Sequence, residues 1–221
     1  MEYDPLVEAA QWSGVDDPRL LAAIATTPRD RFVPPRYAAR APCDEPIPIG
    51  HGQPTSQPSL IAQMIDALRL SGTETVLEIG TGYGYQTALL ARLARQVYSM
   101  ERHADLAEHA RANLASAGVA NAEVVVGDGT AGLPEHAPFD AVVVSATART
   151  VPAPLAGQLA EGGRLVMPIQ EGLNEIVTLF GKRRGRLVQE RLLTPARFVP
   201  LIGQHVDVPG DEPPLRAAPH R

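Results

Sequence analysis

The chain has 221 residues, 44% hydrophobic and 20% charged, which suits one domain with a sizeable core. Twenty Lys and Arg against 25 Asp and Glu leave a net charge of −5, which argues against the basic face that nucleic-acid binding needs. A single cysteine excludes an internal disulfide, and no run of about 18 apolar residues is present to span a membrane.

The first thirty residues read as helical. "MEYDPLVEAAQW" lacks a basic segment followed by an apolar one, so it is not a signal peptide, and a cytoplasmic location is expected. In "DPRLLAAIATTPRDRF", Asp17 suits an N-cap and Pro18 the first helical position. Leu20, Leu21, Ile24 and Ala25 form its apolar stripe, and Pro28 ends it. From Arg31 to Pro58 the chain is rich in Pro and Gly and reads as an ordered loop. A loop of that length inside a compact domain is unusual unless it has a function. "PSLIAQMIDALRL" is the next helix, opened by Pro58, with Leu60, Ile61, Met64, Ile65 and Leu68 on one face.

From Thr73 strands and helices alternate. "TVLEI", "QVYSM", "AEVVVG", "FDAVVVSA" and "RLVMPI" read as buried strands. "YGYQTALLARLA", "ADLAEHARANLASAG" and "APLAGQLAEGG" read as the helices between them. The expected fold is α/β, a doubly wound and mostly parallel sheet of Rossmann-like type. "EIVTLFGKRRGRLVQERLL" adds an antiparallel C-terminal hairpin, with the basic run Gly181–Arg186 as its turn. The expected organisation is an N-terminal helical extension and active-site loop over 1–70, a cofactor core over 71–203 and a flexible tail over 204–221. Oligomeric state is open, with a monomer favoured.

"VLEIGTGYGYQ" places Gly80, Gly82 and Gly84 between a strand and a helix, where glycines permit a tight turn and a close ligand. The dinucleotide fingerprint needs a further glycine where Tyr85 stands. Glu78, two residues before the first glycine, would repel a pyrophosphate and tolerate a sulfonium. This favours S-adenosylmethionine over a nicotinamide cofactor. Glu101 ends the second strand, where a carboxylate can accept hydrogen bonds from a ribose diol; the alternative is a helix-capping surface residue. In "GDG", Asp128 could accept from an adenine amino group, with Gly129 keeping the wall open. Tyr83 and Tyr85 could stack on adenine or serve in packing. The six histidines lack metal-ligand spacing, so no metal site is expected.

These residues carry a resemblance. "PRDRFVPPRYAARAPCDEPIPIGHGQPTSQP", "VLEIGTGYGYQTALLARLARQVYSMER", "VVGDGTAGLPEHAPFDAVVVSA", "QLAEGGRLVMPI" and "RFVPLIG" together resemble protein-L-isoaspartate O-methyltransferases, from about Asp16 to Gly203. The resemblance implies methyl transfer from S-adenosylmethionine to the α-carboxylate of L-isoaspartyl residues in damaged proteins or peptides. Closure of the ester to a succinimide then starts repair. It also implies that Ser56 is the catalytic residue, with Gln53 and Thr55 on the cofactor side. The implied cofactor set is Gln53, Thr55, Ser56, Glu78, Gly80, Gly82, Gly84, Glu101, Arg102, Asp128 and Gly129. Three features depart from the family pattern. Pro54-Thr55 replaces Thr-Ile before the serine. "SATARTVP", with Thr147 and Arg149, replaces an alanine-rich segment expected beside the substrate. The chain also runs on from Gln204 to Arg221. They keep open an alternative, a carboxyl methyltransferase that tailors an aspartyl residue of a dedicated peptide. A non-catalytic S-adenosylmethionine-binding domain is disfavoured by the retained motif residues.

Overall fold

The structure is a computed structural model that describes residues 4–206. Helix α1 (Pro5–Trp12) is capped by Asp4, whose Oδ1 accepts the Leu6 N–H at 2.8 Å. Helix α2 (Pro18–Ala25) starts as expected, with Asp17 Oδ1 accepting the Arg19 N–H at 2.8 Å. Two 3-10 turns follow, Arg29–Phe32 and Pro35–Arg40.

The segment read as a loop contains an antiparallel hairpin, β1 (Ile47–Gly50) with β2 (Gln53–Thr55). Its register sets Pro48 opposite Pro54, so neither residue can donate across the pair at that level. The tip, Gly50-His51-Gly52, has positive φ at all three residues. Helix α3 (Pro58–Leu68) follows directly and buries Ile61, Met64, Ile65 and Leu68.

The core alternates as expected: β3 (Thr75–Ile79), α4 (Tyr85–Ala91), β4 (Gln96–Glu101), α5 (Ala104–Ser116), β5 (Ala122–Val126), β6 (Phe139–Val144), α6 (Ala153–Gln158) and β7 (Leu159–Glu171). Strands β8 (Asn174–Arg183) and β9 (Arg186–Pro195) complete a seven-stranded sheet of order β5-β4-β3-β6-β7-β8-β9. Neighbours from β5 to β7 are parallel; β7–β8 and β8–β9 are antiparallel. The period of two divides the sheet between two cores. Val76, Ala141 and Val143 face α1 to α5, whereas Leu77, Val142 and Val144 face the side of α6.

Two boundaries differ from expectation. The helix read through Gly163 stops at Gln158, because buried Leu159 already pairs with Phe139 in the sheet. The Gln158 side chain instead bridges to the 129–136 segment, accepting from Leu133 N and donating to Ala131 O. The expected flexible tail is ordered at its start. Gln204 N donates to Asp128 Oδ2 at 2.7 Å and His205 N to Thr130 Oγ1 at 3.2 Å. The rest of that tail, 207–221, lies outside the described residues.

The basic run is structural, as its turn reading implies. Arg184 and Gly185 both take positive φ, the demand of a tight two-residue turn. Lys182 Nζ donates to the carbonyls of Ala156, Gly157 and Leu159 at the end of α6, and Arg183 pairs with Glu190. No helix among the described residues is long and apolar enough to cross a membrane.

Candidate active site

Sheet order reverses between β3 and β6, and ligands in open parallel sheets bind outside the carboxyl ends at such a point. A cavity of about 400 Å³ lies there. The glycine turn after β3, Glu101–His103 after β4 and Ser145–Ala146 after β6 form one side. The β1–β2 hairpin, the start of α3 and the segment 194–202, from the end of β9 onward, form the other.

Glu101 is the buried carboxylate on the cavity wall. Its Oε2 accepts the Gly82 N–H at 2.9 Å and its Oε1 the His103 N–H at 3.0 Å. Each oxygen keeps a lone pair for a ligand hydroxyl. Gly82 has φ of +56°, and a Cβ there would stand 3.0 Å from Ile49 Cδ1, so glycine lets the hairpin close onto the turn. His51, at the hairpin tip, hydrogen-bonds Asp105 through Nε2 at 2.7 Å and stacks on His103 at 4.2 Å. That bond holds the Asp105 carboxyl below its ordinary pKa.

The cavity gathers Gln53, Thr55, Ser56, Gly80, Gly82, Glu101, Arg102 and Gly129 of the expected set. Ser56 is half-buried, and no described residue hydrogen-bonds its Oγ, which leaves the hydroxyl available to a substrate. Thr55 turns its hydroxyl to Arg29 instead, accepting from Nη2 at 2.8 Å.

Three expected cofactor residues stand outside the cavity. Glu78 is fully buried behind the glycine turn and accepts from Gln86 Nε2 at 3.0 Å, Thr87 Oγ1 at 2.5 Å and Ser99 Oγ at 2.6 Å. Burial pushes its carboxyl up to about 7. It joins β3, α4 and β4, so it supports the turn and does not meet a ligand's charge. Gly84 caps α4, and a Cβ there would stand 3.3 Å from Leu114 Cγ, so its smallness serves packing against α5. Asp128 Oδ1 accepts from Thr130 N and Oγ1, and Oδ2 takes Gln204 N. Its carboxylate is engaged where an adenine contact was expected.

The altered segment after β6 lines the cavity only through Ser145 and Ala146; Thr147 and Arg149 are not on its wall. Arg149 is exposed away from the cavity, and Thr147 acts through its backbone. Thr147 N donates to Val199 O at 2.9 Å and its carbonyl accepts from Leu201 N at 2.7 Å. This fixes 194–202 across the cavity, a wall that "RFVPLIG" marked as a family feature without showing its place. Sequence reasoning also missed Ser145, which lines the cavity and accepts from Gln86 Nε2 at 3.1 Å. Of the two tyrosines, Tyr83 stacks on His109 at 5.0 Å and Tyr85 is buried against Phe32.

Residues 1–206 match the family described as Protein-L-isoaspartate(D-aspartate) O-methyltransferase (PCMT). The chain belongs to this family. It is 51% identical over 199 residues to the protein-L-isoaspartate O-methyltransferase of Anaeromyxobacter dehalogenans (strain 2CP-C), covering 88% of this chain and 95% of that one. A solved protein-L-isoaspartate O-methyltransferase superposes with a TM-score of 0.79 at 30% identity, covering 91% of this chain and 66% of that longer one. A putative isoaspartate methyltransferase from Plasmodium falciparum, solved with S-adenosyl-L-homocysteine, has the same fold at a TM-score of 0.78 and 22% identity, covering 91% of this chain and 99% of that one.

Proposed function

We propose that this protein transfers a methyl group from S-adenosylmethionine to the α-carboxylate of L-isoaspartyl residues in proteins or peptides. The observation that carries this reading is the enclosure of Ser56 and Glu101 in one cavity, on opposite walls, in a chain of this family.

The residues present fit the cofactor. A cavity of about 400 Å³ holds a molecule of that class, the turn at Gly80 and Gly82 admits it closely, and Glu101 offers two oxygens to a diol. When bound, S-adenosylmethionine supplies an electrophilic methyl on a sulfonium. Glu101 and the glycine turn would hold its ribose end, and Arg102 and Gly129 line the same cavity. The acceptor carboxylate is already ionised near neutral pH, so no strong base is required. Ser56 Oγ donates a hydrogen bond that orients it, and a neutral donor does so without trapping its charge. The hairpin and the 194–202 wall exclude water, which otherwise solvates the carboxylate and blunts its attack.

The dedicated-peptide alternative is not favoured, because the similar relatives carry the isoaspartate name. We treat 1–70 as the lid-bearing extension and 71–203 as the cofactor core. A cytoplasmic, monomeric protein without a nucleic-acid partner completes the proposal, supported by one free cysteine, Cys43, and the net charge of −5.

Radiolabelled methyl transfer to matched isoaspartyl and aspartyl peptides tests the reading. A base-labile ester on the isoaspartyl peptide alone is expected. Its absence, with cofactor binding confirmed by calorimetry, would sink the proposal.

A further inference from the structure

Arg29 is 3% exposed, and no ion-pair partner lies within 4.0 Å of it among the described residues. The two carboxylates whose charge reaches it, Asp44 and Glu45, are engaged elsewhere. Glu45 pairs with Arg40, and Asp44 accepts from Gln57 and Ser59. The guanidinium is held by neutral oxygens. Nη1 donates to the carbonyls of Ala41 at 3.3 Å and Cys43 at 2.9 Å. Nη2 donates to Glu45 O at 2.9 Å, Thr55 Oγ1 at 2.8 Å and Ser56 O at 3.3 Å. The ring of Tyr85 lies 5.9 Å away. A buried cation without a counter-charge is costly to hold, and a purely structural plug would serve better if apolar.

Its partners are specific. Three belong to the turn 41–45 and two to Thr55 and Ser56. The same turn carries Asp44, whose carboxylate takes Ser59 N at 2.8 Å, Ser59 Oγ at 2.8 Å and Gln57 Nε2 at 2.7 Å. Ser56 therefore stands between two braces, Arg29 on Thr55 before it and Asp44 on Gln57 and Ser59 after it. Arg29 anchors both, because it also holds the turn from which Asp44 reaches.

We propose that Arg29 is a positioning residue for the methyl-acceptor site, setting the Ser56 hydroxyl through its bonds to Thr55 Oγ1 and Ser56 O. The proposal rests on the reading of Ser56 as the group that orients the acceptor carboxylate. It also gives Thr55 a reason to be a threonine. An apolar residue at this position cannot accept from Nη2, and the hydroxyl adds an acceptor one residue from the reacting group. A planar guanidinium whose two terminal nitrogens reach both elements suits this assembly, and a lysine ammonium does not.

Arg29→Lys and Arg29→Ala risk misfolding, so the decisive variants are at Thr55. Thr55→Val keeps the shape and removes the acceptor, while Nη2 retains Glu45 O and Ser56 O. Steady-state kinetics on an isoaspartyl peptide should show kcat reduced roughly tenfold, since a displacement near 1 Å can cost up to about a hundredfold. Cofactor affinity by calorimetry and the melting temperature should stay near the parent values. Thr55→Ser, which restores the acceptor, should recover most of kcat. Unchanged kcat in Thr55→Val, alongside a large loss in Ser56→Ala, overturns the positioning role. Parallel loss of kcat, cofactor affinity and melting temperature in Thr55→Val overturns it too, by assigning Thr55 to fold support. Full activity in Ser56→Ala would overturn the reading of Ser56 itself.

Discussion

Glu101 Oε2 accepts the backbone N–H of Gly82 at 2.9 Å, so the end of β4 and the turn after β3 behave as one unit. Removing the carboxylate deprives a ligand diol of its acceptors and the turn of its anchor. Glu101→Ala should weaken S-adenosylmethionine binding by about 1.5–3 kcal/mol, the range for hydrogen bonds to a charged group. Isothermal calorimetry checks this, and unchanged affinity would remove Glu101 from the ribose role.

Ser56 stands on the opposite wall with its hydroxyl unengaged. Ser56→Ala should cut turnover by about a hundredfold or more, as for loss of an orienting donor, with cofactor affinity little changed. Comparable loss of both, by kinetics and calorimetry on the same preparation, would place Ser56 in the cofactor wall instead.

Glu78 makes stability depend on pH. Burial raises its carboxyl to about 7 from an ordinary 4.5, so between those values the folded protein holds a proton that the unfolded chain has released. Its contribution is most favourable below about 4.5 and is lost as pH rises to about 7, a change on the order of 3 kcal/mol. Denaturant titrations at pH 5 and pH 8 should show that fall in the parent. Glu78→Gln should flatten it, and an equal fall in both proteins would assign the dependence elsewhere.

Asp128 caps the turn at Thr130 and tethers Gln204. Asp128→Ala should cost about 0.5–2 kcal/mol, as loss of a cap does. It should also speed amide exchange over 203–206. Its effect on cofactor affinity should be smaller than that of Glu101→Ala; a larger effect would restore a direct role for Asp128 at the cofactor.

The alternation from Thr75 to Val144 was legible because each strand is a short apolar run between helical stripes, and the sheet buries those runs on both faces. The α2 cap was legible because Asp17-Pro18 acts locally. The β1–β2 hairpin was not, because Pro48 and Pro54 signal loop and hide a pairing sustained by docking. Of the residues expected at the site, Gly80, Gly82, Glu101 and Ser56 were named from sequence and line the cavity. Glu78 and Asp128 were assigned to the ligand because sequence position shows which strand a carboxylate ends, not what fills its lone pairs. Gln204, 76 residues from Asp128 in sequence, supplies a partner no local motif announces. Arg29 went unremarked for the same reason: its partners lie 12 to 27 residues away and are mostly backbone.

The facing prolines of β1 and β2 leave that ladder with little cohesion of its own. What holds it is its seating: Ile49 over Gly82, His51 against Asp105 and His103, Ile47 packed with Val33 and Ala41, and Thr55 on Arg29. These contacts belong to the hairpin's neighbours and not to the pairing of the seven-stranded sheet, so the two are held by separate sets of bonds. A substitution in the hairpin can therefore change the shape of the cavity's rim without loosening the sheet that carries the glycine turn.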